Sequence, residues 1–498
     1  MGVIKKQAIQ STFYSYLGVG IGFMNSAILM PLILTTEQVG LLSFLNSYTN
    51  IFATLCTFGV PLIALKFYPH FKSDNRDGGF SAFVVIMTLV GLVLGLAVYF
   101  LFNNYFISEK NEAKYYAPFV FAFVGLFTFK LIHKNLDAFI KMLYNTVLGA
   151  ISENFVLKLF VFLALATYWY FNKYDFTYLF SLYAVALSLP GLISLIYLIS
   201  KGRFWTSLSY FFNKSESIKK VMITVGTFGM LGTIGNIIVL EIDRMMVSNM
   251  LGLHENGIYT VAFFFGVFVN IPSRGIRRIS GVVISDAWKN KEIETIDEVY
   301  KKSCLNQFLI GTYLFLGVWL NVDFVFQFLP EHYAHGRYVI LLIGLAQLSD
   351  MLTGANAEVI ATSKYFKVNT LFVLGLMLLV IVLNYYLIPK YGIDGAALAS
   401  AIAMITINAV RYLFLWKVFN FQPMNVNILL TAILGGICLF VVELTKGFYT
   451  NPFIGILGCG GLLTVIYWLA AYYLSISKDY KSIVNNILKK YLDIDVQN

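Results

Sequence analysis

Charge is scarce in this chain: only 12% of its 498 residues are Asp, Glu, Lys or Arg, whereas 58% are hydrophobic. Soluble domains carry about 25% charge, so the composition excludes an ordinary water-soluble protein. The alternating pattern of a membrane β-barrel is absent as well. Apolar runs of about 20 residues recur along the whole length, and each is long enough to cross a ~30 Å hydrocarbon core as a helix. The sequence therefore predicts an all-α polytopic membrane protein.

Several functional motifs are also missing. The four cysteines form no CxxC pair and the five histidines have no ligand spacing, so no metal site or disulfide framework is predicted. There is no GK[ST] phosphate loop, and Gly18, Gly20 and Gly22 follow no strand, so no nucleotide site is predicted. We therefore expect no cofactor and no enzyme activity. Transport would have to be driven by an ion, H⁺ or Na⁺, or by a gradient of the substrate.

Fourteen membrane spans can be counted. If the N-terminus is cytoplasmic, most of the 36 Lys and Arg residues fall on the cytoplasmic side, as the positive-inside rule requires. This bias predicts that both termini are cytoplasmic, and it explains the net charge of +10 without nucleic acid as a partner. The predicted spans are 12–34, 40–63, 80–102, 115–133, 145–169, 176–199, 220–247, 257–280, 304–329, 337–356, 367–388, 394–416, 426–445 and 452–475.

The chain repeats itself at an offset of 217 residues. Gly257 falls on Gly40, Gly235 on Gly18, and the stretch 240–262 falls on another pair of apolar runs joined by a short turn. Spans one to six and seven to twelve then form two parallel bundles, which predicts alternating access with a site between them. The predicted domains are a bundle at 1–200, a cytoplasmic linker at 201–219, a bundle at 220–417, helices 13 and 14 at 418–475 and a cytoplasmic tail at 476–498.

Span seven contains the densest charge within a predicted span. Glu241, Asp243 and Arg244 lie there, and charges inside a membrane are costly enough to indicate function. Glu241 and Arg244 are three residues apart, so they share a helix face. Two interpretations stay open. Either these two side chains form a structural clasp, or Arg244 binds a substrate anion while Asp243 or Glu241 takes up a proton or Na⁺.

Lys158 lies in the middle of span five. Glu153 is five residues earlier and about 140° around the helix, so the two are poorly placed to pair. Lys158 therefore needs another partner or faces a wet cavity, and we predict that it contacts a negatively charged head group. Glu153 is a candidate for ion coupling.

Two further groups of charges lie at the inner ends of spans. Asp350 and Glu358 either bind a coupling ion or flank the cytoplasmic mouth. The second group consists of Arg274, Arg277 and Arg278 at the end of span eight. It either gathers an anion such as phosphate or simply follows the positive-inside rule.

Glycines recur in the first helix of each bundle. Their spacing forms no single GxxxG stripe, and glycine weakens a helix, so they are candidate hinges; close packing of helices through small residues is the alternative. The glycines are Gly18, Gly20 and Gly22 in span one and Gly226, Gly229, Gly232 and Gly235 in span seven.

Three stretches carry a resemblance to a known family. They are DRMMVSNMLGLHENGIYTVA at 243–262, TTEQVGLLSFLNSYTNIFATLCTFGVPLIALKFYP at 35–69 and IPKYGIDGAALASAIA at 388–403. They resemble helix-pair patterns of the polysaccharide exporters in the multidrug/oligosaccharidyl-lipid/polysaccharide flippase superfamily, whose O-antigen and capsule flippases have fourteen helices. The resemblance covers essentially the whole chain.

The resemblance implies a flippase that moves undecaprenyl-diphosphate-linked oligosaccharide across the bacterial inner membrane. It also implies H⁺ or Na⁺ coupling in some members, and a role in making O-antigen lipopolysaccharide or capsule. The expected partners are the lipid-linked oligosaccharide, membrane lipids and glycan polymerase or ligase machinery, with a monomeric transport unit. One alternative is a multidrug or small-cation antiporter of the same superfamily, which should have an acidic cavity. A glycan polymerase or ligase is disfavoured because the predicted outer loops are short.

Overall fold

The structure is a computed structural model that describes residues 2–71, 79–107, 120–171, 175–205 and 216–492. These residues are almost entirely helical. The helices are α1 Gly2–Phe23, α2 Met30–Ile33, α3 Thr36–Leu55, α4 Val60–Phe71, α5 Phe80–Ile107, α6 Val120–Met142, α7 Val147–Gly149, α8 Leu157–Phe171, α9 Phe176–Ser200, α10 Glu216–Leu251, α11 Leu253–Phe268, α12 Ser273–Asn290, α13 Ile293–Phe326, α14 Arg337–Leu352, α15 Asn356–Thr362, α16 Phe366–Phe419, α17 Val426–Thr445, α18 Pro452–Tyr473 and α19 Lys478–Leu492. Two π-helices, Met24–Leu29 and Ala150–Val156, and two 3₁₀ turns, Glu331–Gly336 and Lys446–Phe448, complete the series.

The predicted all-α membrane fold is confirmed, whereas the count of fourteen spans is not. Within the described ranges, ten helices are long and apolar enough to cross a membrane, or twelve if each of two bent pairs is one span. The helix α16 enters this count once, although Gly392 interrupts it with φ 60° and ψ −138°. Every predicted span nevertheless overlaps one of the helices, with spans eleven and twelve sharing α16.

Some boundaries differ from the prediction. Span eight was expected to run straight from 257 to 280, but α11 ends at Phe268 and α12 departs from it at an angle of 52°. Pro272 lies at this break, where it has no backbone N–H to continue the helical hydrogen bonds. The linker predicted at 201–219 lies largely outside the described residues, and most of the predicted tail forms α19.

The helices begin where the sequence supplies caps. Thr35 and Gln38 form a capping box at the start of α3, and the side chains of Asp175, Asn425 and Asn451 accept hydrogen bonds from the first turns of α9, α17 and α18. Such caps satisfy backbone N–H groups that have no partner within the helix.

The chain divides into two compact units. Unit 1 comprises Met1–Thr260 and Leu376–Tyr385, and unit 2 comprises Val261–Gly375 and Tyr386–Asn498. In unit 1, α6 packs against α3, α4, α5 and α9. In unit 2, the long helix α13 packs against α12, α14, α17 and α18. The six-helix bundles at 1–200 and 220–417 have other bounds and stay a prediction.

Within unit 1, residues that the 217-residue offset makes equivalent contact each other. A methyl group added to Gly40 would lie 2.0 Å from the Leu253 carbonyl oxygen, and one added to Gly257 would lie 2.1 Å from the Thr36 carbonyl oxygen. The second contact is the first one shifted by the offset, since Leu253 is equivalent to Thr36. Two elements related by a two-fold axis make reciprocal contacts of this kind.

Two side-chain contacts also join residues that the 217-residue offset makes equivalent. Ser43 and its equivalent Thr260 are hydrogen-bonded at 2.8 Å, and Glu37 lies 3.2 Å from the ring nitrogen of its equivalent, His254. These contacts support the repeat that the sequence predicts. They pack the start of α3 against the start of α11.

Candidate functional site

Glu241 and Arg244 form an ion pair within unit 1. Arg244 Nη1 lies 2.8 Å from Glu241 Oε2, and each side chain is only 10% exposed. Ser47 Oγ donates to the same carboxylate at 2.6 Å and Asn50 Nδ2 at 3.0 Å. The geometry therefore fits the predicted structural clasp, and it extends the clasp to α3.

Asp243 belongs to a different network, although it lies between the two clasp residues. Its carboxylate accepts hydrogen bonds from Tyr259 Oη at 2.8 Å and from Asn384 Nδ2 at 2.7 Å, and the residue is 2% exposed. These two donors are neutral. The charged triplet therefore divides into an ion pair that faces α3 and a carboxylate that joins α10 to α11 and α16.

Lys130 is a site residue that the sequence did not single out. The helix α6 runs to Met142, nine residues beyond the predicted span, so Lys130 lies at its middle. Its ammonium donates to the backbone oxygen of Asn46 at 3.1 Å, to Asn46 Oδ1 at 2.6 Å and to Thr49 Oγ1 at 3.0 Å. The sequence does contain a signal for this face, because Lys130, Lys134, Asp137 and Lys141 recur every three or four residues.

Lys158 lies two residues after the π-helix Ala150–Val156 and is half-buried. Within the described ranges its ammonium makes no hydrogen bond or ion pair. Its aliphatic stem lies against Gly22, where an added methyl group would be 3.5 Å from Cδ and Cε. Its backbone carbonyl accepts a hydrogen bond from Asn25 Nδ2 at 2.8 Å, so the Met24–Leu29 π-helix holds this part of α8.

Glu153 contacts His133 and not Lys158. The distance from Glu153 Oε2 to His133 Nε2 is 3.6 Å, and the glutamate side chain is 63% exposed. The other ring nitrogen, His133 Nδ1, lies 3.1 Å from Ser194 Oγ and 3.2 Å from the Pro190 carbonyl. These contacts fix the imidazole between α6 and α9.

The site in unit 1 has an excess of positive charge. Among the described residues, electrostatic interactions connect five cations, Lys130, Lys134, Lys141, Lys158 and Arg244, with two carboxylates, Glu153 and Glu241, and Lys141 is also paired with Asp137. One of these carboxylates is already paired with Arg244. This arrangement can attract an anion, and it does not form an acidic cavity.

Unit 2 has its own buried ion pair. Arg277 Nη2 lies 2.5 Å from Asp350 Oδ2, and the same carboxylate accepts from Asn270 Nδ2 at 3.1 Å. Arg277 Nε also donates to Gln307 Oε1 at 3.3 Å. Of the three predicted anion-binding arginines, Arg277 is therefore occupied by Asp350.

Arg274 and Arg278 differ from Arg277, because both are exposed on α12. They line an open pocket of about 910 Å³, together with Lys289, Asp286 and Glu358. Glu358 Oε2 is buried and has no hydrogen-bond partner among the described residues. The pocket therefore presents cations near one buried carboxylate.

The glycines of span one are packed, except for Gly20. A methyl group on Gly18 would lie 1.8 Å from the Asn154 carbonyl oxygen, whereas one on Gly20 would have nothing within 4 Å. Gly18 thus allows α1 to approach the π-helix Ala150–Val156, whereas a methyl group on Gly22 would make ordinary van der Waals contact with Lys158 at 3.5 Å. For Gly18 the geometry fits the close-packing interpretation.

In span seven, Gly226 packs on Ile63 and Gly229 on Leu62, with added methyl groups at 2.8 Å and 2.2 Å from those side chains. The helix α10 continues without a break through these two glycines and through Gly232 and Gly235. The hinge function of the glycines stays a prediction.

Comparison with known proteins gives a family and a fold. Residues 6–284, more than half of the chain, match the family described as "Polysaccharide biosynthesis protein". An uncharacterised membrane protein of Methanocaldococcus jannaschii is 22% identical over 481 residues, which cover 91% of this chain and 92% of the relative.

Two solved structures share the fold. One is the lipid II flippase MurJ in an inward closed conformation, with a TM-score of 0.70, 14% identity and coverage of 96% of this chain and 99% of that one. The other is an inward-facing multidrug resistance MATE transporter of the MOP superfamily, with a TM-score of 0.60, 13% identity and coverage of 82% and 94%. These two matches show the fold, whereas the family is shown by the match over residues 6–284.

Proposed function

We propose that this chain, which belongs to the polysaccharide biosynthesis protein family, is a flippase for undecaprenyl-diphosphate-linked oligosaccharide that works by alternating access in the bacterial inner membrane. O-antigen lipopolysaccharide and capsule are the glycan pathways that such a substrate would supply. Lipid-linked oligosaccharide is the partner in this proposal, and no enzymatic step is part of it.

The observation that carries the proposal is the excess of cations in unit 1. Among the described residues, Lys130, Lys134, Lys158 and Arg244 share the carboxylates of Glu153 and Glu241, and the Lys158 ammonium makes no hydrogen bond or ion pair. A half-buried cation without a hydrogen bond loses part of its hydration, and a phosphate oxygen would compensate this with a charge-assisted hydrogen bond. In this proposal Lys158 binds the diphosphate, Lys130 and Lys134 add to the attraction, and the lipid tail stays in the hydrocarbon.

Arg244, predicted as a possible ligand of the substrate anion, has an indirect role in the proposal. Its guanidinium is engaged by Glu241 at 2.8 Å, so it contributes to the local field while it holds α10 to α3. In unit 2, Arg274 and Arg278 fit the gathering of an anion at the open pocket, whereas Arg277 serves the pair with Asp350.

Ion coupling is the second part of the proposal, and Asp243 is the carboxylate we assign to it. Asp243 is 2% exposed, and its carboxylate accepts hydrogen bonds from Tyr259 on α11 and Asn384 on α16. Burial disfavours the charged form of a carboxylate, so uptake of a proton or Na⁺ at Asp243 would act on three helices at once. Glu358, with its buried Oε2, is the alternative carboxylate.

The antiporter of cationic drugs is the competing function, and the fold of the MATE transporter fits it. A cationic substrate would need an acidic cavity, and the cluster in unit 1 has the opposite sign. Translocation of a labelled lipid-linked oligosaccharide in proteoliposomes, with and without an ion gradient, separates the two functions. A drug-driven response without glycan movement would favour the antiporter.

The same assay tests Lys158. We expect Lys158→Ala to lower the rate of translocation about tenfold or more, since a charge-assisted hydrogen bond contributes roughly 1.5–3 kcal/mol, and Lys158→Arg to keep much of the rate. Lys301→Ala is the control, because that cation pairs with Asp297 in unit 2. Wild-type translocation by Lys158→Ala would refute the assignment.

The same assay tests Asp243. Asp243→Asn should remove the dependence of translocation on the ion gradient, and full gradient dependence in this variant would exclude Asp243.

A further inference from the structure

A second cavity lies in unit 1, away from the charged site. It has a volume of about 360 Å³ and is lined by α4, α5 and α10, with Met87, Met222 and Met230 among its side chains. This volume is within the ~300–1,000 Å³ range of small-ligand pockets. Methionine side chains adapt to apolar ligands of irregular shape.

Among the described residues, the lining offers no free hydrogen-bonding side chain. Thr227 carries the one hydroxyl in it, and this hydroxyl donates to the Ile223 carbonyl within α10 at 2.9 Å. The other side chains of the lining, such as Ile63 and Phe83, are apolar. A polar ligand would lose its own hydrogen bonds to water there without replacement, so the occupant should be a hydrocarbon.

The helices α4 and α10 that form the cavity are antiparallel at this point. Ile63 faces Gly226 and Leu62 faces Gly229, while Phe67 shares a hydrophobic cluster with Met222. Residue numbers therefore rise along one helix as they fall along the other. The close approach of the two helices needs Gly226, whose added methyl group would lie 2.8 Å from Ile63.

Two exposed lysines lie at one end of the cavity. Lys66 follows Ile63 by three residues on α4, and Lys220 precedes Met222 by two residues on α10. Because the helices are antiparallel, both lysines lie on the same side of the cavity, about one helical turn from its lining. A cationic pair next to an apolar cavity in a membrane protein is complementary to an anionic lipid, with its head group at the lysines and its chain in the cavity.

We propose that this cavity binds one acyl chain of an anionic phospholipid, whose phosphate contacts Lys66 and Lys220. The site is separate from Lys158 and from the carboxylates assigned to ion coupling, so the proposal stands or falls independently of the translocated substrate. The exposed flank of α10, with Ile223 68% exposed, provides the route by which a chain enters from the bilayer.

A matched pair of threonines tests the apolar part of the site. Thr227 lines the cavity, whereas Thr224, one turn earlier on α10, does not. Both are exposed, and both donate to the carbonyl four residues before them. Thr227→Phe should fill the cavity and abolish retention of phosphatidylglycerol in native mass spectrometry of the purified protein, whereas Thr224→Phe should retain it. Thermal unfolding would verify that both variants are folded, and equal retention by the two variants would overturn the proposal.

The cationic part is tested with the double variant Lys66→Gln, Lys220→Gln. Each lysine near an anionic surface contributes about fivefold in affinity, so the variant should lose most of its preference for phosphatidylglycerol over phosphatidylcholine of the same chain length. An unchanged preference would contradict the proposed head-group contact.

Undecaprenyl phosphate distinguishes a membrane phospholipid from the tail of a translocated substrate. We expect Thr227→Phe to leave the binding of undecaprenyl phosphate unchanged. If this variant instead loses undecaprenyl phosphate and keeps phosphatidylglycerol, the cavity holds the substrate's tail and the phospholipid proposal is wrong.

Discussion

Two equivalent stretches, residues 23–45 of the first repeat and 240–262 of the second, contact each other through equivalent residues but carry different charges. Gly40 and Gly257 make reciprocal backbone contacts within unit 1. In contrast, the positions equivalent to Glu241, Asp243 and Arg244 are Met24, Ser26 and Ala27. The offset also relates Lys130 to Gln347 and Lys158 to Gly375. The two repeats thus share backbone geometry, and each has charges that the other does not have.

This difference shows how two repeats with the same backbone geometry can form a site with a net positive charge. The cluster in unit 1 combines Lys130 and Lys158 from the first repeat with Glu241 and Arg244 from the second. Because each repeat supplies different charges, one pair can stabilise the packing while Lys158 stays available to a ligand.

The largest effect should come from breaking the clasp of the second repeat. Arg244→Ala leaves the buried Glu241 carboxylate without its cation, so the free energy of unfolding should fall by about 3–5 kcal/mol. Thermal unfolding in detergent measures this change. The double variant Glu241→Gln, Arg244→Gln, which removes both charges, should lose less. A single variant within about 1 kcal/mol of the wild type would show that the clasp does not hold α10 to α3.

The second-largest loss of stability should come from breaking the backbone contact that the two repeats share. Gly40→Ala and Gly257→Ala each place a methyl group about 2 Å from a backbone oxygen, and such overpacking costs roughly 1–3 kcal/mol. The backbone must move to relieve the clash, so the start of α3 should separate from α11. Thermal unfolding of each variant reports the cost.

Gly436→Ala is the control for this pair, because its methyl group would have nothing within 4 Å and alanine favours a helix by up to ~1 kcal/mol. If all three variants unfold at one temperature, the reciprocal contact carries no stability. A loss in only one of Gly40→Ala and Gly257→Ala would show that the two contacts are not equivalent.

The helices and the repeat could be predicted from the sequence because apolar runs and equivalent residues are properties of the chain itself. The clasp of Glu241 with Arg244 could be predicted as one of two alternatives for the same reason, since side chains three positions apart on a helix are neighbours. Lys158 was identified because it is a charge at the middle of an apolar run.

Other parts of the site depend on contacts that no spacing encodes. Asp243 receives a hydrogen bond from Asn384, 141 residues away, and Asn25 donates to the Lys158 carbonyl across 133 residues. Lys130 lies three residues before the end of the predicted span 115–133, so its position in the sequence did not mark it as a residue of the site.

The smallest effect should come from the exposed pair of equivalent residues, Glu37 and His254. Their side chains are 41% and 46% exposed, and ion pairs in such positions contribute about 0–1 kcal/mol. Glu37→Gln should therefore change the unfolding temperature only slightly, and raising the salt concentration should remove the difference from the wild type because salt screens exposed charges. Gly257→Ala, measured in parallel, should stay destabilised at high salt, since steric overlap is not screened. A salt-insensitive loss of more than about 2 kcal/mol in Glu37→Gln would mean that the polar contact, and not the glycine packing, joins the two repeats.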